Sequence, residues 1–246
     1  MTEDGALRLA VWSGPRNIST AMMRAWENRA DTVVWDEPLY AYFLNRSGSD
    51  HPHSAKVIEA GEPDWRGVVA RATGPVPGAM PIYFQKHMTH HLLDEMDWCW
   101  LGALTNCFLI RDPREVIASY SKTRPNPTVA DVGIPQQAKI FDYVTRLTGR
   151  TPLVLDAKDV LTNPRGMLSA LCDALEVPFS EAMLCWPAGG RPSDGVWASH
   201  WYETVRQSTG FVPYRSKAHL LPAALNGLAQ ACEPYYERLQ VHRLLP

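Results

Sequence analysis

Trp12-Ser13-Gly14-Pro15-Arg16-Asn17-Ile18-Ser19-Thr20 joins a short apolar run, Ala6 to Val11, to an apolar-periodic run, Ala21 to Trp26. The order is strand, tight turn, helix start. Backbone N–H groups at such a turn point outward, and the positive end of the helix adds to their attraction for an anion. This turn also carries an arginine and two hydroxyls. It reads as a cradle for phosphate or sulfate. The plainer alternative is a strand-to-helix turn capped by Asn17 or Ser19.

The turn is not that of the common triphosphate enzymes, which need Gly, four residues, then Gly-Lys-Ser/Thr. It has one glycine, no lysine and Ile18 in the middle, and no triple-glycine dinucleotide turn is present either. A second segment sharpens the reading. Asn106-Cys107-Phe108-Leu109-Ile110 has the character of a buried strand, with Arg111 at its end. Asp112-Pro113 is a helix start, Asp as cap and Pro at the first helical position, and Glu115 to Lys122 continues the helix. Ser119 lies eight positions after Arg111, nearly two turns along. The pair can converge on one anion beside the first turn. Alone, a strand-end arginine is more often in a surface ion pair; the two segments together point to an anion site.

On these two segments the chain resembles the sulfotransferase family, enzymes that use 3′-phosphoadenosine 5′-phosphosulfate. Pro15-Arg16-Asn17-Ile18-Ser19-Thr20 is similar to the family's loop for the 5′-phosphosulfate. Arg111 and Ser119 match, in type and spacing, the arginine and serine that hold the 3′-phosphate. Pro152 to Asp156, Asn163-Pro164 and Leu168 to Phe179 resemble the family's later strand-plus-helix unit. Ile18 departs from the pattern, standing where relatives often have glycine, and a β-branched residue resists positive φ. The resemblance implies an α/β, three-layer P-loop-like fold with a central mainly parallel sheet and helices on both faces. It implies transfer of a sulfuryl group to a hydroxyl or amine of a small acceptor, leaving adenosine 3′,5′-bisphosphate, with no metal demanded. Arg16, Asn17, Ser19, Thr20, Arg111 and Ser119 would bind the donor, with Arg16 at the leaving phosphate. Family members often use a basic segment near the position of Arg215 and Lys217, which puts those two forward for the 3′-phosphate against a plain role as solvated cations.

Composition agrees. The 246 residues, 46% hydrophobic and 20% charged, fit one domain, 1–246, with a sizeable core. The net charge of −2, without a long Lys/Arg run, argues against nonspecific nucleic-acid or anionic-membrane binding. Met1 to Ala6 is acidic and unlike a secretory signal, and no run approaches a membrane span. The five cysteines are scattered, without Cys-x-x-Cys spacing, and are expected as buried free thiols in a reducing, cytoplasmic compartment. Strands are expected at Leu7 to Val11, Thr32 to Trp35, Pro81 to Gln85, Asn106 to Ile110 and Pro152 to Leu155, with helical patterns between, the alternation of a parallel sheet. Asn45 to Pro63 reads as a loop or mobile insert. Pro187 to His200, rich in Gly, Pro and Ser, is a candidate lid or else a solvated loop, and Ala223 to Leu239 is broadly helical.

The chemistry needs a base for the acceptor's proton. Glu37 follows the second strand, at the sheet end where open α/β proteins bind ligands, and some carbohydrate-modifying family members use a glutamate from this region. A salt bridge is its plainer role. His87 is the rival, because small-molecule sulfotransferases commonly place a lysine and then a histidine base after the equivalent strand. Adjacent strand residues face opposite ways, so Lys86 and His87 share the site only if the strand has ended before them. His87, His90 and His91 are compactly spaced, but no carboxylate or cysteine pattern completes a metal site, and His90 and His91 read as cap or surface residues. Trp35, Tyr40, Tyr42, Tyr83, Trp98 and Trp100 lie near expected strand ends, where they would line a pocket for an apolar or aromatic acceptor. Two other classes compete: a kinase or other nucleoside-triphosphate enzyme, opposed by the missing Gly-Lys-Ser/Thr, and a noncatalytic binding module on the same fold.

Overall fold

The computed structural model describes residues 5–246, so most of the acidic start lies outside the described residues. Five strands, β1 (Leu7–Ser13), β2 (Thr32–Asp36), β3 (Ile82–Met88), β4 (Thr105–Ile110) and β5 (Leu153–Asp156), make one sheet in the order β2-β3-β1-β4-β5. Every pairing is parallel. Parallel neighbours need long crossovers, and these carry the helices.

A parallel sheet is buried on both faces, which is why its strands are apolar nearly throughout. Leu9, Val11, Phe84, Cys107, Leu109 and Leu155 pack on one side, under helices Ser19–Glu27 and Pro164–Ala174. Ala10, Trp12, Phe108, Ile110 and Val154 pack on the other, under helices Trp65–Thr73, Ile134–Thr148 and Asn226–Gln240. The result is the expected α/β fold with helices on both faces. Asp112 caps its helix as expected, accepting from Arg114 N–H at 2.7 Å, and Pro113 is the first helical residue.

Three local expectations need correction. Residues 45–63 are not a plain loop: helix Tyr40–Ser47 runs into them and helix Ser54–Ala60 follows. The polar composition hid Val57, which is 1% exposed and fixes the second helix to the core. Strand β3 runs on to Met88, three residues past the expected end at Gln85. Of the cysteines, Cys107, Cys172 and Cys232 are buried as expected, but Cys99 and Cys185 are exposed, and all five are free.

The segment 187–200 is tied down rather than loose. Asp194 forms a 2.5 Å ion pair with Arg24, both nearly inaccessible, and Ser193 bonds Glu27 on the same helix. Trp197 is buried in the core. Removing one partner of a buried pair leaves the other charge uncompensated. Asp194→Asn is expected to lower stability by about 3 kcal/mol in urea unfolding and to open residues 187–200 to limited proteolysis; Glu27, 3.2 Å from Arg24, holds back a larger loss.

Candidate active site

The turn after β1 enters helix Ser19–Glu27 without a side-chain cap: Ile18 is the cap residue, and Asn17 is engaged elsewhere. Its Nδ2 donates to Leu109 O at 2.8 Å and its Oδ1 accepts from Ile18 N–H. The capping alternative for Asn17 and Ser19 therefore falls, and the helix start keeps its outward N–H groups. The strained residue is Arg16, at φ 57°, whereas Ile18 sits at φ −89° and needs no glycine.

Arg16 Nε donates to Ser119 Oγ at 3.2 Å, and Arg111 Nη1 donates to Arg16 O at 2.8 Å. The two segments singled out by sequence thus meet. Burial, and then the neighbouring Arg111, lower the Arg16 pKa, although an arginine stays protonated. Glu115, which sequence reading missed, organises the far side. Its Oε2 accepts from Arg111 Nε and Nη2 at 3.1 and 3.0 Å, and its Oε1 accepts from Tyr214 OH at 2.8 Å and Lys217 N–H at 3.1 Å. The i,i+4 spacing of Arg111 and Glu115 was the available signal.

Arg16, Arg111, Ser119, Tyr214 and Lys217 border a cavity of about 760 Å³. Arg16, Asn17, Ser19, Thr20, Arg111, Ser119, Arg215 and Lys217 all border it. Its outer wall is Trp201 to Lys217, the segment after the expected lid, and not 187–200. Of the six aromatics expected at an acceptor pocket only Tyr40 borders it; Tyr120, Trp201, Tyr202, Phe211 and Tyr214 supply the other aromatic surface.

Asp36 and Lys86 are register partners on β2 and β3, on the same face, and Lys86 borders the same cavity. Lys86 Nζ donates to Asp36 Oδ1 at 2.9 Å, Glu37 Oε1 at 2.5 Å and Tyr202 OH at 2.7 Å. Burial alone would lower the lysine pKa; the two carboxylates outweigh it and hold it above the ordinary value. Glu37 is raised, chiefly by burial and also by Asp36, against the pull of Lys86. Like Arg16, it has a positive φ, 41°.

His87 is placed where it cannot share this site. Because β3 has not ended, it points to the opposite face, stacked on its register partner Trp12 at 4.4 Å. It is 1% exposed, borders no part of the cavity, and burial holds its pKa down to about 3. His91, expected as a cap or surface residue, is instead a buried part of the cavity wall, stacked on Tyr40 at 4.5 Å and Phe43 at 4.8 Å. His51 and His90 border the cavity too, and burial lowers the pKa of all three imidazoles. Among the described residues no group of side chains could hold a metal ion.

A model of the sulfotransferase domain matches residues 7–243. The chain belongs to the sulfotransferase domain family. It is 34% identical to branched-chain-amino-acid aminotransferase-like proteins 2 and 1 of Arabidopsis thaliana, over 232 and 231 residues, 94% of this chain in each case. It spans only 41% of their length. Its fold is similar to the sulfotransferase domain of the Synechococcus PCC 7002 olefin synthase (TM-score 0.59, 18% identity, covering 97% of this chain and 95% of that one). It is also similar to the sulfotransferase domain of the curacin biosynthetic pathway (TM-score 0.52, 17% identity, 98% and 99%). Among the described residues no helix is long and apolar enough to cross a membrane.

Gly14 shows how tightly the turn is seated. A Cβ there would lie 2.7 Å from Val132 O, a backbone atom with no side-chain freedom to yield. Gly14→Ala is expected to destabilise the protein by about 1–3 kcal/mol in urea unfolding.

Proposed function

We propose that this sulfotransferase-family chain moves the sulfuryl group of 3′-phosphoadenosine 5′-phosphosulfate to a hydroxyl or amine of a small acceptor. The observation that carries the reading is the meeting of Arg16, Arg111 and Ser119 at an uncapped helix start, in a cavity that Glu37 also borders. The first group suits two phosphates. The turn, with Arg16, Ser19 and Thr20, would hold the 5′-phosphosulfate, and Arg111 with Ser119 the 3′-phosphate. Arg215 and Lys217 border the same cavity and add positive charge.

In the transfer, the bond from sulfur to the 5′-phosphate oxygen breaks as the acceptor's oxygen or nitrogen bonds to sulfur. Negative charge grows on the departing phosphate. Arg16 stabilises it as a fixed hydrogen-bonding cation, which is worth most where water is excluded. The acceptor's proton goes to Glu37. A carboxylate with a raised pKa is a stronger proton acceptor, which suits the task. Aromatic and neutral imidazole surface from Tyr40, His91, Trp201 and Tyr202 favours an apolar or aromatic acceptor. A triphosphate substrate is disfavoured: the turn has no lysine, and of the two lysines that border the cavity, Lys86 is already bound to two carboxylates while Lys217 lies outside the turn. The free thiols suit a reducing compartment such as the cytoplasm.

Calorimetric titration is expected to show tight binding of adenosine 3′,5′-bisphosphate and weak binding of ATP with magnesium; the reverse order would overturn the donor assignment. Arg111→Ala should weaken the bisphosphate far more than adenosine 5′-phosphate, and an equal loss for both would show that Arg111 does not read the 3′-phosphate.

The base is tested by kinetics. Glu37→Gln should lower turnover by roughly 10²–10³-fold with bisphosphate affinity kept. His87→Phe, which preserves the stack on Trp12, should leave turnover within a few fold. The opposite pattern would make His87 the base.

A further inference from the structure

The reading of Glu37 as the base leaves a difficulty: a carboxylate held 2.5 Å from a buried ammonium would ordinarily be spent as its counterion. A carboxylate in that state is a poor proton acceptor. The surroundings of Lys86 resolve it.

Lys86 is 1% exposed and has three N–H donors, each with its own acceptor: Asp36 Oδ1, Glu37 Oε1 and Tyr202 OH. Tyr202, also buried, has a single proton. Its shortest acceptor contact is Asp36 Oδ2 at 2.7 Å, while Glu37 Oε1 is 3.3 Å away, so the proton goes to Asp36. Trp197 Nε1 donates to the same phenol oxygen at 3.2 Å and fixes it. Asp36 is thereby bonded on both oxygens and shut away from the cavity wall, which Glu37 does border. Glu37 has only Oε1 engaged; among the described residues Oε2 has no hydrogen-bond partner.

We propose that Asp36 and Tyr202 are positioning residues that serve as the standing counter-group of the Lys86 ammonium, so that Glu37 is oriented by the lysine through Oε1 but keeps Oε2 as a proton acceptor. This rests on Glu37 being the base. The division of labour is between two adjacent carboxylates of one strand end: Asp36 neutralises, Glu37 accepts the proton.

The groups facing Glu37 come from every side. Asp36 precedes it, Lys86 comes from β3, Tyr202 from the outer segment, and Tyr40 from helix Tyr40–Ser47 feels its charge. His87 and His91, which feel Lys86, are neutral. The signs follow. Asp36 raises Glu37 as a like charge, and Lys86 lowers it. Without the Asp36 charge, Lys86 pairs with Glu37 alone, and Glu37 gives up its proton at lower pH. Without the Tyr202 hydroxyl, Asp36 draws more on Lys86, and Glu37 gives it up at higher pH.

The test follows the Glu37 carboxyl directly, by ¹³C NMR titration of protein labelled at glutamate Cδ, with the resonance assigned from Glu37→Gln. The expected result is opposite shifts of the Glu37 midpoint from wild type: downward in Asp36→Asn, upward in Tyr202→Phe. The acid limb of kcat/KM for sulfuryl transfer should move in the same two directions. A midpoint unmoved in both variants, or moved the same way in both as general loosening would do, overturns the proposal. If Asp36→Asn does not fold, Tyr202→Phe alone decides by the direction of its shift. Opposite NMR shifts in a protein that fails to bind adenosine 3′,5′-bisphosphate would uphold the network and sink the sulfuryl-transfer reading instead.

Discussion

An ammonium group at 1% exposure cannot be left to itself. Taking an ion of that size out of water costs several kcal/mol even after relaxation, and only full pairing and hydrogen bonding offset it. Lys86 meets that demand with two carboxylates from the neighbouring strand end and one phenol from residue 202, more than a hundred positions away in sequence. The last partner shapes the molecule. To bring Tyr202 to Lys86, the chain after residue 200 has to cross the carboxyl end of the sheet. The far end of that segment is held too, by Tyr214 and the Lys217 N–H on Glu115. A span pinned by polar bonds at both ends is what turns an open sheet edge into a cavity.

Strand order explains why the two pinning points face one another across it. With β1 between β3 and β4, the carboxyl ends of three adjacent strands deliver Lys86, Arg111 and the turn that carries Arg16 to one edge. In open α/β sheets this is where ligands bind, outside the strand ends where the connections diverge. Positive charge dominates the lining: Arg16, Arg111, Arg215, Lys217 and Lys86 border the cavity, and the only carboxylate among its lining residues is Glu37, paired with Lys86.

Much of this was legible in sequence wherever the cause is local. Alternating apolar runs and turns foretold the parallel sheet, and Asp112-Pro113 the helix start. The Arg111–Ser119 spacing anticipated the convergence with Arg16. The rule that neighbouring strand residues face opposite ways was also in hand; what decides it, the continuation of β3 to Met88, depends on pairing with β1. Residues whose role is long-range left no trace. Nothing near Tyr202 announces a bond to Asp36, and nothing near His91 announces a stack between Tyr40 and Phe43. Glycine and proline are dense at 187–200 and suggest a lid there, yet a buried arginine from another element fixes that stretch, and the cavity wall falls to the less conspicuous residues 201–217.

Backbone strain gives Arg16 and Glu37 a common logic. Arg16 and Glu37 are non-glycine residues in the left-handed region, at roughly 1–2 kcal/mol each. Each is held there by a residue from a neighbouring strand or strand end: Arg16 O accepts from the Arg111 guanidinium, and Glu37 N–H donates to Lys86 O. The bond that keeps the strained turn in place is thus made by the same residue whose side chain or charge borders it. A substitution at Arg111 therefore acts on the conformation of Arg16 as well as on local charge. By contrast, the Lys86 carbonyl would go on holding Glu37 after a change of the lysine side chain. The Arg16–Arg111 pair is thus a single coupled unit, whereas the Glu37–Lys86 pair separates backbone support from side-chain tuning.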